Sequence, residues 1–131
     1  MNLLLDTHAF LWGVEGSVRL GPNAAAQIID PDNTAWLSIV SVWEIAIKTG
    51  LGRLQLQEAP EVFIPREMAN ENIRELAIEM DHALAVRELP QHHADPFDRL
   101  LIAQASLENL TIVTADRHFS AYGVAVLAAD Q

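Results

Sequence analysis

Cysteine is absent from the 131-residue sequence. Disulfides and thiolate-held zinc are therefore excluded, and a reducing cytoplasm is the expected location. No apolar run approaches the roughly 20 residues that a membrane span requires. The opening MNLLLDTHAF lacks a basic leader, and Asp6 interrupts its apolar run, which argues against a signal peptide. Neither G-x-x-x-x-G-K-[ST] nor G-x-G-x-x-G occurs, so nucleotide-cofactor readings fall away. Repeats, low-complexity tracts and Pro/Gly-rich linkers are also missing, and residues 1–131 are expected to form one domain.

Positive charge is scarce as well. Eighteen acidic residues against eight basic ones give a formal charge of −10, the opposite of the basic stripe of a protein that coats nucleic acid. The imbalance is uneven. Eight acids lie between Glu58 and Glu88, against Arg66, Arg74 and Arg87. That block reads as solvated helix surface or as a dock for a basic partner. A nucleic-acid substrate must then bind elsewhere, or through a metal.

What is present is a core-forming chain, half apolar, with alternating strand and helix patterns. NLLL (2–5), TAWLSI (34–39), IRELAI (73–78), LTIVTAD and YGVAVLAA read as strands. THAFLWGV, GPNAAAQIID, VSVWEIAIKTGLG, PEVFIPREMANEN, MDHALAVREL and DPFDRLLIAQASLEN read as helices. This alternation predicts an α/β fold, a mainly parallel sheet with helices on both faces.

Four acids are drawn towards one end of such a sheet. Asp6 and Asp116 each follow an apolar strand, Glu44 lies one turn into a helix, and Asp98 lies in a helix's first turn. Ligands of open parallel sheets bind at the carboxyl ends of the strands. Each acid also has a plainer explanation. Asp6 and Asp116 suit N-caps, worth about 1 kcal/mol each, and Glu44 with Lys48 suits a solvated i,i+4 pair. Asp95 followed by Pro96 reads as the N-cap and first-turn proline of its helix, which leaves Asp98 without a necessary capping role.

Convergence is what points to chemistry. Two carboxylates about 4 Å apart repel by roughly 4 kcal/mol at an effective dielectric near 20. A cluster of four must protonate or hold a cation. Oxygen ligands without cysteine select a hard ion, Mg²⁺ or Mn²⁺, which also binds phosphates and activates water. The five histidines show no H-E-x-x-H spacing, and His92–His93 reads as a surface loop. Trp12, Trp36 and Trp43 lie within apolar segments and are expected in the core rather than as base-stacking platforms.

LLLDTHAFLW, SIVSVWEIAIK, DPFDRLLIAQA and IVTADRHFSAYGV resemble, in order and spacing, the four blocks of the PIN domain, and most closely the VapC toxins of type II toxin–antitoxin pairs. The blocks span Leu3 to Val124. The resemblance implies a three-layer α/β/α sandwich and a Mg²⁺- or Mn²⁺-dependent endoribonuclease whose catalytic and metal-binding acids are Asp6, Glu44, Asp98 and Asp116. Thr114 and Asp95 are expected beside those ligands, supporting them. It further implies an RNA substrate, a cognate antitoxin and a homodimer, with no membrane partner. Two positions depart from this branch: Ala94 stands where a basic residue is common, and the last strand reads LAAD where Trp is common.

Two other readings compete. A non-catalytic PIN-like module that only binds RNA or protein would be favoured by a missing acid, and none of the four is missing. A receiver-type phospho-acceptor needs a lysine after the last strand, whereas the one lysine is Lys48.

Overall fold

In the computed structural model, which describes residues 1–131, five strands form one parallel sheet. They are β1 (Asn2–Leu5), β2 (Thr34–Ser38), β3 (Arg74–Leu76), β4 (Thr111–Thr114) and β5 (Val126–Ala128), in the order β3-β2-β1-β4-β5. β1 is central: Leu5 pairs with Leu37 of β2 on one side and Val113 of β4 on the other. The helices are α1 (Thr7–Glu15), α2 (Pro22–Ile29), α3 (Ile39–Gly50), α4 (Pro60–Asn70), α5 (Met80–Ala85) and α6 (Pro96–Glu108).

The run Leu3-Leu4-Leu5 is apolar throughout because both faces of β1 are covered. Leu3 and Leu5 join one core with Phe10 of α1, Ala24 of α2, Ile45 of α3 and Phe63 of α4. Leu4 points the other way, with Ile112 of β4, into a second core formed by Leu101, Ile102 and Ala105 of α6 and by Phe119. The result is the expected three-layer sandwich. Each fully buried leucine contributes about 2 kcal/mol.

Local chemistry sets the helix ends. The Asp6 carboxylate caps α1 by accepting from Ala9 N–H at 2.7 Å, and Gly16 ends that helix at φ +65°, a left-handed conformation that suits glycine. Asp95 caps α6 through Phe97 N–H and Asp98 N–H at 2.8 and 3.1 Å, with Pro96 at its start, as the sequence predicts.

Three expectations need correction. MDHALAVREL is not one helix: α5 stops at Ala85 and a 3-10 turn, Val86–Glu88, follows. The buried Arg99 guanidinium takes up the Val86 and Leu89 carbonyls at 3.2 and 3.3 Å, which bends the chain towards α6. Trp43 is not core but 53% exposed, lying edge-on to Phe97 at 5.0 Å. The inward face of α3 is taken by Val40, Ser41, Glu44 and Ile45, so Trp43 falls on the other side. Trp12 and Trp36 are half-buried against the two cores. Finally, the Glu44–Lys48 pair forms, but its carboxylate is buried rather than solvated.

Candidate metal centre

The connections that leave β1 and enter β4 run to opposite sides of the sheet, which opens a crevice at the carboxyl ends of these two strands. Asp6 directly follows β1, and its N–H donates to Val113 O at 3.1 Å, so the sheet itself fixes its backbone. Asp116 follows β4 by two residues and starts a 3-10 turn, Arg117–Tyr122, by accepting from His118 N–H at 2.9 Å. Both acids therefore cap, as the plainer reading has it, and both also border the crevice.

Asp6 and Glu44 form the buried half of the site, 7% and 5% exposed. Thr114 links the strands: its hydroxyl accepts from Asp116 N–H at 3.0 Å and bonds the Asp6 carboxylate. Burial pushes the Asp6 carboxyl above its ordinary pKa. The bonds to Thr114 and Ala9 N–H act against this, while the Glu44 charge adds to it. Glu44 is anchored at both oxygens. Thr7 Oγ1 donates to Oε1 at 2.6 Å, and Lys48 Nζ lies 2.5 Å from Oε2.

Asp98 and Asp116 form the more open half, with side chains 23% and 31% exposed. Partial burial pushes Asp98 up to about 7, and the charges of Asp95, Glu44 and Asp6 act in the same direction, against a lowering contribution from His93. Asp116 goes the other way. Burial works upward there too, but the His118 backbone N–H and the rings of His93 and His118 hold its carboxyl below the usual range. His93 Nε2 lies 3.0 Å from Asp98 Oδ2 and 2.9 Å from Asp116 Oδ2. His118 Nδ1 lies 2.9 Å from Asp116 Oδ1. The ligand-capable atoms of His93, Asp116 and His118 fall within 4.8 Å of one another.

A hard divalent cation fits this donor set. Asp98 is under electrostatic stress from three neighbouring carboxylates, and the four acids offer oxygen rather than sulfur donors, with the ring nitrogens of His93 and His118 beside Asp116. The Lys48 ammonium already neutralises part of Glu44. Of the four acids, Glu44 is the one with a lysine partner.

The model of the PIN domain family matches residues 3–125. The chain belongs to the PIN domain family. Solved structures share this fold across nearly their whole length. VapBC2 from Rickettsia felis, bound to a DNA fragment from the promoter, aligns at a TM-score of 0.73 with 15% identity, over 97% of this chain and 98% of that one. A toxin–antitoxin complex from Klebsiella pneumoniae aligns at 0.61 with 19% identity, over 97% of each chain. FitAcB from Neisseria gonorrhoeae aligns at 0.56 with 18% identity, again over 97% of each. No curated protein sequence matches the chain.

The PIN fold brings Asp6, Glu44 and Asp98 close enough for their charges to act on one another, and reaches Asp116 through Thr114 and His93. Asp95 lies behind them as the cap of α6, its charge bearing on Asp98. Sequence reasoning missed Thr7, His93 and Arg99. Thr7 carried a faint signal in its place beside Asp6. His92–His93 do lie in a loop, with His92 exposed, but the His93 side chain is only 18% exposed and lies between two acids.

Proposed function

We propose that the protein is a metal-dependent endoribonuclease acting as the toxin of a toxin–antitoxin pair. The observation that carries this reading is the meeting of Asp6, Glu44 and Asp98 at the switch point of a PIN-family sheet, where their mutual repulsion favours a cation, with Asp116 bordering the same crevice. Asp6, Asp98 and Asp116, with Glu44 behind them, would hold Mg²⁺ or Mn²⁺. Such an ion supplies Lewis-acid polarisation of a phosphate and a water acidic enough to attack it.

The chain's own residues do the positioning. Thr114 couples Asp6 to the start of the Asp116 turn, and Thr7 with Lys48 keeps Glu44 in one rotamer. The rigid ends of β1 and β4 keep the acids from relaxing apart when no ion is bound. An ion also resolves the conflict between a −10 chain and a polyanionic substrate, since the phosphate meets a local positive charge.

An antitoxin partner is supported by the similar solved structure from Klebsiella pneumoniae, a toxin–antitoxin complex. An arginine from it would pair with the metal-free carboxylates. The exposed acids from Glu58 to Glu88 favour a basic partner, and exposed Met80, Leu84 and Leu107 add apolar surface for it or for a second copy in a homodimer. The test is sequencing of RNA 5′ ends after brief expression of the intact protein and of Asp98→Asn. New 5′ ends at defined sites should appear with the intact protein alone, with at least a ~100-fold loss in the variant if the carboxylate is a ligand. Identical 5′ ends in both would defeat the nuclease reading.

A further inference from the structure

The crevice does not end at Asp116. Beside it lies an open pocket of about 330 Å³, lined by Thr114, Asp116, Arg117, Ser120, Asp130 and Gln131. Small-ligand sites begin at roughly 300 Å³. Val126 and Ala128 of β5 add apolar surface to it. One wall is fixed by the backbone. Ala129 N–H donates to Thr114 O at 2.9 Å, and Gly21 N–H donates to Ala129 O at 2.8 Å. The Gln131 carbonyl accepts from Asn23 N–H at 2.8 Å and Ala24 N–H at 3.3 Å, at the start of α2. Gly21 permits this clasp, because a Cβ there would collide with the Gln131 backbone. Asp130 is held between the two anchored residues, with its side chain exposed and bonded to no other group.

Cations are scarce in this chain, which makes Arg117 informative. Lys48 is taken by Glu44, Arg66 by Glu58, Arg74 by the Trp36 ring and Arg99 by backbone carbonyls. Arg19 and Arg53 follow the ends of α1 and α3 that point away from the crevice, and Arg87 lies in the 3-10 turn after α5. Arg117 instead borders the pocket, exposed and in no ion pair, although Asp116 and Asp130 line the same space. A free guanidinium here gives a −10 chain one specific place for a phosphate. The Asp130 carboxylate only accepts, and a ribose 2′-hydroxyl is a donor that DNA lacks. We propose that this pocket seats a ribonucleotide of the substrate beside the acid site, Arg117 pairing with its phosphate and Asp130 accepting from its 2′-hydroxyl. The inference rests on the nuclease reading above and adds to it the side chains that prefer RNA to DNA.

NMR titration of the metal-free protein, which reads millimolar binding, tests it with octauridylate and octadeoxyuridylate. These probes differ only in the 2′-hydroxyl. Amides of Ala115, Arg117, Ser120 and Gln131 should shift, and the RNA should bind about 5-fold more tightly than the DNA, the contribution of one hydrogen bond. Arg117→Gln should weaken both probes about 10-fold, while Arg19→Gln changes little. It should also lower the slope of log affinity against log salt by about 0.7, the share of one phosphate on a single strand. Asp130→Ala should bind both probes at least as well, because a negative charge is gone, yet bring the RNA-to-DNA ratio close to unity. With Mn²⁺ and a cleavable RNA, Arg117→Gln should raise KM about 10-fold and leave kcat within about 2-fold. Shifts confined to other surfaces, an unchanged salt slope in Arg117→Gln, or an RNA-to-DNA ratio that survives Asp130→Ala would each overturn the proposal. Those results leave the nuclease reading standing. RNA binding at this pocket without cleavage by the intact protein would keep the subsite and defeat the nuclease reading.

Discussion

The two halves of the acid site solve the same electrostatic problem differently. Asp6 and Glu44 are almost wholly buried, and their counterparts are groups of the rigid frame: Thr114 at the end of β4, Thr7 at the start of α1, Lys48 one turn along α3. Asp98 and Asp116 are more open, and what joins them is one imidazole on a loop held by Arg99. The first half is set once the sheet has formed. The second depends on a loop whose position is a separate, weaker choice, and substitutions should separate the two.

The largest stability effect is expected from Arg99→Leu. Four backbone carbonyls would lose a charged donor in a poorly solvated place. A hydrogen bond to a charged group contributes about 1.5–3 kcal/mol, so a loss near 3 kcal/mol in a urea melt is expected. The damage should centre on residues 86–93 and on Asp98 and Asp116. Hydrogen exchange checks the comparison: amides of β1 and α3 should keep their protection relative to global unfolding, while those around α5 and the start of α6 lose it first. Uniform loss would mean the halves are not separable.

Next in size is the response to metal. At 100 times Kd, Mn²⁺ should stabilise the protein by about 2.7 kcal/mol. Asp6→Asn should shrink that gain while metal-free stability holds or rises, because asparagine still caps α1 and the buried charge is gone. A metal-free loss of about 1 kcal/mol with an undiminished Mn²⁺ response would leave Asp6 as a cap only.

The open half should also leave a pH signature. Asp98 is raised to about 7 from 3.8. Between these values the folded state binds the proton more tightly than the unfolded chain, so metal-free stability falls as pH rises from about 4 to about 7. The fall should be on the order of 2 kcal/mol after solvent screening is allowed for. Asp98→Asn should flatten this part of a denaturation series. Asp116, lowered rather than raised, contributes in the opposite sense: its stabilisation is present above pH 4 and is lost as the solution becomes more acidic. An unchanged slope in Asp98→Asn would place the raised carboxyl elsewhere.

The smallest effect belongs to Asp95→Asn. Asparagine caps nearly as well as aspartate, so stability should shift by only a few tenths of a kcal/mol. Cleavage should survive, in contrast to Asp98→Asn. Equal loss of activity in both would mean the roles of the two aspartates are misassigned.

Much was legible from residues close together in the chain. The continuous apolar run of β1, the Asp95-Pro96 start of α6 and the strand–helix alternation depend on neighbours a few positions apart, and the structure contains all three. The match of four sequence blocks to the PIN domain likewise needs only order and spacing. The sequence by itself determined the sheet's parallel, doubly covered character, because a strand apolar on both faces has no stable place except between two layers. It also determined which acids lie at strand ends and helix starts, since those are local properties. Tertiary structure alone decided which groups meet them. His93 reaches Asp116 across 23 positions, Thr7 reaches Glu44 across 37, and Trp43 is left outside because other side chains fill the inward face of α3. No periodicity reports such meetings. They exist only once the layers have packed and burial has made an unpaired charge or an unmet hydrogen bond costly.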